Sequence, residues 1–196
     1  MDLVLIRHPA VAVDPGVCYG GSDVALAGDA DEAAAGVMRA IDALRVPAAR
    51  AIGSSPLTRC MALAQALARL TGMSVHRDSR LREIDFGAWE RQRWDAIGPD
   101  AIERWRADLW HAREHGGESV AQFAARVAPV LAPSPGDEAT RWQVTHAGVI
   151  RALAAQALDE PLEAMLQRPV AMGGVVWLRG NGSGTAPGWR LVHWDA

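Results

Sequence analysis

The sequence predicts an α/β fold, a three-layer α/β/α sandwich whose central sheet is mostly parallel, with residues 1–196 forming one domain. Three observations carry that expectation. The chain opens on Leu3-Val4-Leu5-Ile6, a short continuous apolar run; such a run reads as a strand buried on both faces, the condition of an inner strand in a parallel sheet. Strand-like and helical segments then alternate along the chain, the pattern of crossover units. Finally, 49% apolar and 22% charged residues over 196 positions are the proportions of an ordinary globular domain able to bury a sizeable core.

In chain order, strands are expected at 3–7, 50–54, 74–77, 141–145, 175–179 and 189–193, and helices at 27–45, 56–71, 89–95, 101–111, 119–132, 149–157 and 162–167. The second helix shows the logic. Ser55-Pro56 reads as an N-cap followed by the first helical position, where proline loses no hydrogen bond. Cys60, Leu63, Leu67 and Leu70 repeat at helical spacing and form its buried stripe. Arg59 lies off that stripe, in the turn where amides point outward and the dipole favours an anion. The stretch 79–117 reads as a helical insertion bearing Trp89, Trp94, Trp105 and Trp110. Packing is the first expectation for these rings, and a lid over the active site the second. Gly180-Asn181-Gly182-Ser183-Gly184 joins the last two strands as the turn of a terminal hairpin.

A net charge of −3 gives no reason to expect nucleic acid or an acidic membrane as a partner. The chain has no basic leader and no apolar stretch long enough to span a bilayer, so the expected location is the cytoplasm. All 20 basic residues are Arg. The bias fits a GC-rich, bacterial genome, and it requires any side-chain cation on a phosphate to be Arg or a protonated His. Cys18 and Cys60 are too few for a disulfide scaffold and fit no metal spacing; two reduced thiols are expected, with a redox pair as the alternative. His111 and His115 stand at helical spacing without a matching acid or Cys, and read as a solvated helix end. No metal and no cofactor is expected.

Four fragments carry the chemistry. Arg7-His8 ends the first strand, where open α/β sheets bind their ligands. Ser54-Ser55-Pro56-Leu57-Thr58-Arg59 starts a helix, Leu81-Arg82-Glu83-Ile84-Asp85-Phe86-Gly87 opens the insertion, and Val144-Thr145-His146-Ala147-Gly148 ends another strand. Phosphoryl transfer needs a nucleophile in line with phosphorus, cations for the nonbridging oxygens and a proton for the leaving oxygen. This set, in this order over residues 3–151, resembles the histidine phosphatase superfamily, which includes the cofactor-dependent phosphoglycerate mutases. The resemblance implies the phosphoglycerate mutase-like fold. It also implies His8 as nucleophile, Arg7, Arg59 and His146 as phosphate ligands, and Glu83 as proton donor with its pKa raised by burial. The amides around Ala147 and Gly148 add a helix N-terminal contribution. Asp85 competes with Glu83 for the acid role, but a strand-like backbone turns it to the opposite face.

Pro9-Ala10-Val11 stands where relatives often carry a Gly, an acidic residue and a Thr, so one phosphate-touching hydroxyl is missing. Cys18-Tyr19-Gly20-Gly21-Ser22-Asp23-Val24-Ala25-Leu26 and Gly116-Gly117-Glu118-Ser119 resemble segments of the α-ribazole phosphatase branch of cobalamin biosynthesis. That likeness implies removal of the 5′-phosphate from α-ribazole phosphate or from adenosylcobalamin 5′-phosphate, with Tyr19 in the substrate pocket or packed over the first strand. The expected partner is therefore a small-molecule phosphomonoester. A broad-specificity or sugar phosphatase, a mutase and a low-activity regulatory binding module are the alternatives. A homodimer is compatible with the sequence.

Overall fold

The computed structural model describes residues 1–132, 140–181 and 188–195. Six strands form one sheet: β1 (Asp2–Arg7), β2 (Ala49–Ser54), β3 (Ser74–Arg77), β4 (Thr140–Thr145), β5 (Val175–Gly180) and β6 (Trp189–Trp194), in the spatial order β3-β2-β4-β1-β5-β6. The pairs β3/β2, β2/β4 and β4/β1 are parallel, whereas β5 runs antiparallel to both β1 and β6. Only β5 is therefore reversed, and the sheet is mostly parallel as expected.

β1 lies inside this sheet, and its composition follows from that place. Leu3, Val4, Leu5 and Ile6 are all 0% exposed. Because successive side chains of a strand point to opposite faces, Leu3 and Leu5 enter one core and Val4 and Ile6 the other. The first core is closed by α5 (Val120–Val127), α6 (Ala147–Leu158) and α7 (Leu162–Leu166), through Phe123, Val149, Ile150, Leu153 and Met165. The second is closed by α1 (Ala30–Ala43) and α2 (Thr58–Thr71), through Val37, Ile41, Leu63 and Leu67. Burying a single aliphatic side chain of this kind contributes about 1.5–3 kcal/mol.

Helix ends depart from expectation for identifiable reasons. α1 starts at Ala30 because the Asp29 carboxylate accepts from the amides of Asp31 and Glu32. α2 starts at Thr58, whose amide and hydroxyl both bind Asp23, so Pro56 lies outside the helix. Leu70 does not extend the buried stripe; it is 56% exposed, and Ala64 takes part instead. A helix over 89–95 does not form. Residues Gly87–Trp89 make one 3-10 turn, Arg91 sits at φ 64°, a break in any right-handed helix, and a short α3 follows at Trp94–Ile97. α4 covers Pro99–Ala107. α5 opens on a capping box between Ser119 and Gln122, and gives way to a 3-10 turn at Ala128–Val130 where Pro129 ends it. β5 and β6 pair as the predicted hairpin, but residues 182–184 of its expected turn lie outside the described residues. No helix among the described residues is long and apolar enough to cross a membrane.

Candidate active site

β1 and β4 are neighbours in register, Ile6 beside Val144 and Arg7 beside Thr145. The residues that follow them, His8 and His146, therefore emerge side by side at the carboxyl edge of the sheet, with ring centroids 5.2 Å apart. β2 ends one strand further over, and the Ser55 amide continues the ladder onto the Val144 carbonyl. Three strand ends thus converge on one point.

The two imidazoles are held in different tautomers. His8 Nδ1 lies 2.7 Å from the Pro9 carbonyl oxygen, to which it can only donate, so in the neutral ring Nε2 carries the lone pair. Burial, together with the positive charges of Arg59 and Arg7, holds the His8 pKa down to about 3, against the Pro9 hydrogen bond. His146 has the opposite arrangement: its Nδ1 accepts from Arg59 Nε at 3.2 Å, so Nε2–H donates to Ser55 Oγ at 2.8 Å. Burial first, then Arg59, lowers the His146 pKa well below its ordinary value. Ser55 is therefore no helix cap. Its hydroxyl orients His146.

Arg59 is completely buried, in contrast to a surface arginine at a helix start. Besides His146 it grips two loop carbonyls, Ser22 O at 2.7 Å and Gly20 O at 2.8 Å, and its guanidinium lies 5.5 Å from the Tyr19 ring centroid. The loop is fixed in turn by Glu90, whose carboxylate accepts from the Gly21 amide, the Ser22 amide and hydroxyl, and the Phe86 amide. A side chain at position 20 is excluded, because its Cβ would fall 2.0 Å from the Ile84 carbonyl oxygen. Arg7 donates through Nη1 to the Val170 carbonyl.

Glu83 is delivered by the loop after the 3-10 turn Ser79–Leu81, which Thr145 ties to β4 through the Leu81 carbonyl. Arg126 braces the same loop by donating to the carbonyls of Arg80, Arg82 and Glu83 while paired with Glu118. The Glu83 carboxylate accepts from the Gly148 amide at 3.0 Å and the Ile84 amide at 3.2 Å. Burial raises its pKa, opposed by these amides and by Arg59 and Arg7. Asp85 is exposed and caps the Gly87 amide, outside the site. Cys60 lies 3.4 Å from His146 Nε2, and burial raises its pKa; Cys18 is pushed up to about 12, also by burial. Both thiols are free and buried.

Of the residues singled out in the sequence, Arg7, His8, Tyr19, Arg59, Glu83 and Ala147 line one pocket, with His146 buried directly behind His8 and Arg59. The opposite wall is apolar: Val17, Phe86, Trp94, Trp105, Leu109, Phe123 and Leu166. The insertion 79–117 supplies much of that wall. Trp94 and Trp105 pack edge-to-face with Phe86 and Trp89, whereas Trp110 stands apart and donates to Glu163. His115 is not a solvated helix end; it is buried beneath Phe86 and Trp89, with Nδ1 accepting from the Gly117 amide. Sequence reading did not single out Ser55 as a partner of His146, nor Glu90, Arg126 or Arg151. Arg151 left one signal, its position one turn beyond Ala147 and Gly148 on the same helix face. Among the described residues no group of three His, Cys, Asp or Glu is placed to hold a metal ion.

This arrangement can hold a tetrahedral oxyanion against Arg7 and Arg59 and present an unprotonated imidazole nitrogen to it, whereas both ring nitrogens of His146, expected on the phosphate, are engaged by Arg59 and Ser55. The profile of the histidine phosphatase superfamily (branch 1) matches residues 3–195. The glucosyl-3-phosphoglycerate phosphatase of Mycobacterium tuberculosis is 35% identical over 173 residues, 74% of this chain and 73% of that protein. A solved structure of a mycobacterial glucosyl-3-phosphoglycerate phosphatase superposes with a TM-score of 0.81 at 29% identity, covering 100% of this chain and 98% of the other. The α-ribazole phosphatase of Shigella flexneri does so with a TM-score of 0.83 at 25% identity, covering 100% and 96%. The chain is thus a member of the histidine phosphatase superfamily, branch 1.

Proposed function

We propose that the protein is a metal-independent phosphomonoesterase working through a phosphohistidine on His8. The observation that carries this reading is the Pro9 carbonyl on His8 Nδ1, which leaves Nε2 unprotonated beside two arginines. His8 Nε2 attacks phosphorus, forming the P–N bond while the P–O ester bond breaks. Arg7 and Arg59 bind the nonbridging oxygens, His146 joins them when its Nε2–H exchanges Ser55 Oγ for a phosphate oxygen, and Glu83 gives its proton to the departing alkoxide. Water then attacks the phosphohistidine and yields a proton to the Glu83 carboxylate. The P–N bond breaks and inorganic phosphate leaves.

For the substrate we infer the 5′-phosphate of α-ribazole phosphate or of adenosylcobalamin 5′-phosphate, placing the protein in cytoplasmic cobalamin synthesis. The loop from Cys18 to Leu26 supports this, as does the apolar wall, which suits a flat benzimidazole far better than a bare sugar. The likeness to the Shigella α-ribazole phosphatase points the same way. The second reading, glucosyl-3-phosphoglycerate, is supported by the 35% identity to the mycobacterial enzyme. Hydrolysis of both compounds beside a panel of common phosphomonoesters, in EDTA, for wild type and His8→Ala, tests the proposal. Turnover that resists EDTA, needs His8 and prefers α-ribazole phosphate is the expected result. Preference for glucosyl-3-phosphoglycerate installs the second reading, and spread turnover a broad-specificity phosphatase. A phosphoryl shift without release marks a mutase. No turnover at all overturns the proposal in favour of a binding module.

A further inference from the structure

Arg7 and Arg151 are pinned to the same short segment. Arg7 Nη1 donates to the Val170 carbonyl, and Arg151 Nε donates to the Arg168 carbonyl at 3.0 Å, so two guanidinium groups are held by carbonyls only two residues apart. Neither arginine forms an ion pair with a carboxylate among the described residues, and the terminal nitrogens of Arg151 make no hydrogen bond there. Both side chains line the pocket that His8 enters. A pair of like charges without a counterion in a half-buried pocket costs free energy, and an arginine cannot relieve it by losing its proton at ordinary pH. Burial and Arg7 hold the Arg151 pKa below its usual value, with Glu83 offsetting part of the effect. An arriving anion removes that cost.

The phosphoryl group already has Arg7 and Arg59. Arg151 lies nearly one turn along α6, about 4.5 Å along the helix axis from Gly148, whose amide holds Glu83. Glu83 marks where the ester oxygen leaves, so Arg151 faces the alcohol half of the substrate, in a wall otherwise built from apolar side chains. We propose that Arg151 is a specificity-determining residue that binds a second anionic group carried by that alcohol, close to the ester oxygen. This rests on the phosphomonoesterase reading; of its candidate substrates, adenosylcobalamin 5′-phosphate and glucosyl-3-phosphoglycerate carry such a second anion, whereas α-ribazole phosphate would bind without engaging Arg151. A carboxylate on a glycerate skeleton and a phosphate ester on a neighbouring ribose hydroxyl share that chemistry.

Two matched probe pairs separate these sources. 3-Phosphoglycerate and glycerol 3-phosphate differ by a carboxylate; adenosine 3′,5′-bisphosphate and adenosine 5′-monophosphate differ by a phosphate. Binding is measured by calorimetry on His8→Ala and on His8→Ala/Arg151→Met, with Arg151→Lys as the charge-conserving companion. In at least one pair the anion-bearing member should bind His8→Ala about tenfold tighter, Arg151→Met should bring that ratio to within about twofold, and Arg151→Lys should retain part of it. Discrimination in the glycerate pair identifies a carboxylate, and in the nucleotide pair a phosphate ester. Equal losses for both members of a pair on Arg151→Met, or no discrimination by His8→Ala in either pair, would overturn the proposal. Because binding needs no turnover, this result stands apart from the hydrolysis assay. Arg151 can fail while His8-dependent hydrolysis persists, and the reverse.

Discussion

His8 and His146 show how one side chain takes two roles through its neighbours. A backbone carbonyl on Nδ1 makes Nε2 of His8 a lone-pair donor, and an arginine on Nδ1 makes Nε2 of His146 a proton donor. With its pKa held to about 3, the folded-state His8 stays neutral where an exposed histidine, near 6.5, would take up a proton. The unfolded chain therefore binds more protons between those two values, and the unfolding free energy falls as pH drops from 6.5 toward 3. An NMR titration should show no protonation of the His8 ring between about pH 5 and 8; a midpoint near 6.5 would contradict this environment. Glu83 behaves oppositely, its raised pKa favouring the protonated acid. Glu83→Gln should slow alkyl phosphates by about 10²–10⁴ and p-nitrophenyl phosphate far less, since that phenolate leaves without a proton. Equal loss on both removes Glu83 from the acid role. Most of these residues were legible in the sequence, because each stands at a strand end or helix start with its chemistry intact. Ser55 was not, because a serine before Pro-Leu-Thr has the local pattern of a cap, and only the packing of β4 beside β2 brings His146 to it.

At the scale of elements, the N-terminus of α6 and the Glu90 strap govern geometry. The Gly148 Cα faces Glu83, and a Cβ there would meet Glu83 Oε1 at 2.2 Å. Gly148→Ala should therefore push the acid out of place and reproduce the leaving-group pattern of Glu83→Gln, measured with the same two substrates. Glu90→Gln weakens the acceptor that holds the Gly21 and Ser22 amides, whose loop carries the carbonyls gripping Arg59. It should lower kcat/KM by about tenfold and weaken inhibition by inorganic phosphate in parallel; a fall in Tm alone would make Glu90 merely structural. Most elements could be read from periodicity, but the helix at 89–95 and several boundaries could not. Side-chain competition set them: Asp29 and Asp23 claimed the first amides of α1 and α2, and Arg91 turned left-handed where a helix was expected. The buried His115 was hidden for a similar reason, since its burial comes from Phe86 and Trp89 folding back over it.

Across the whole molecule, the site depends on β1 lying between β4 and β5 with a packed core on each face. Leu5→Ala should cost about 2–5 kcal/mol of stability in denaturant unfolding while kcat per folded molecule stays near wild type. A loss of kcat without a loss of stability would mean that the core tunes the site directly. The layered α/β class was legible from the apolar run Leu3–Ile6 and the alternation that follows. The strand order was not, since no local pattern says that β4, the fourth strand in sequence, inserts between β1 and β2. That insertion is what brings His146 to His8. The central claim is that phosphate passes through His8, and rapid-quench trapping with a ³²P-labelled monoester, followed by peptide mapping, tests it most directly. Acid-labile, alkali-stable label on the peptide containing His8, absent from His8→Ala, is the predicted result. Turnover by wild type with the label elsewhere, or with none trapped at His8, would contradict it.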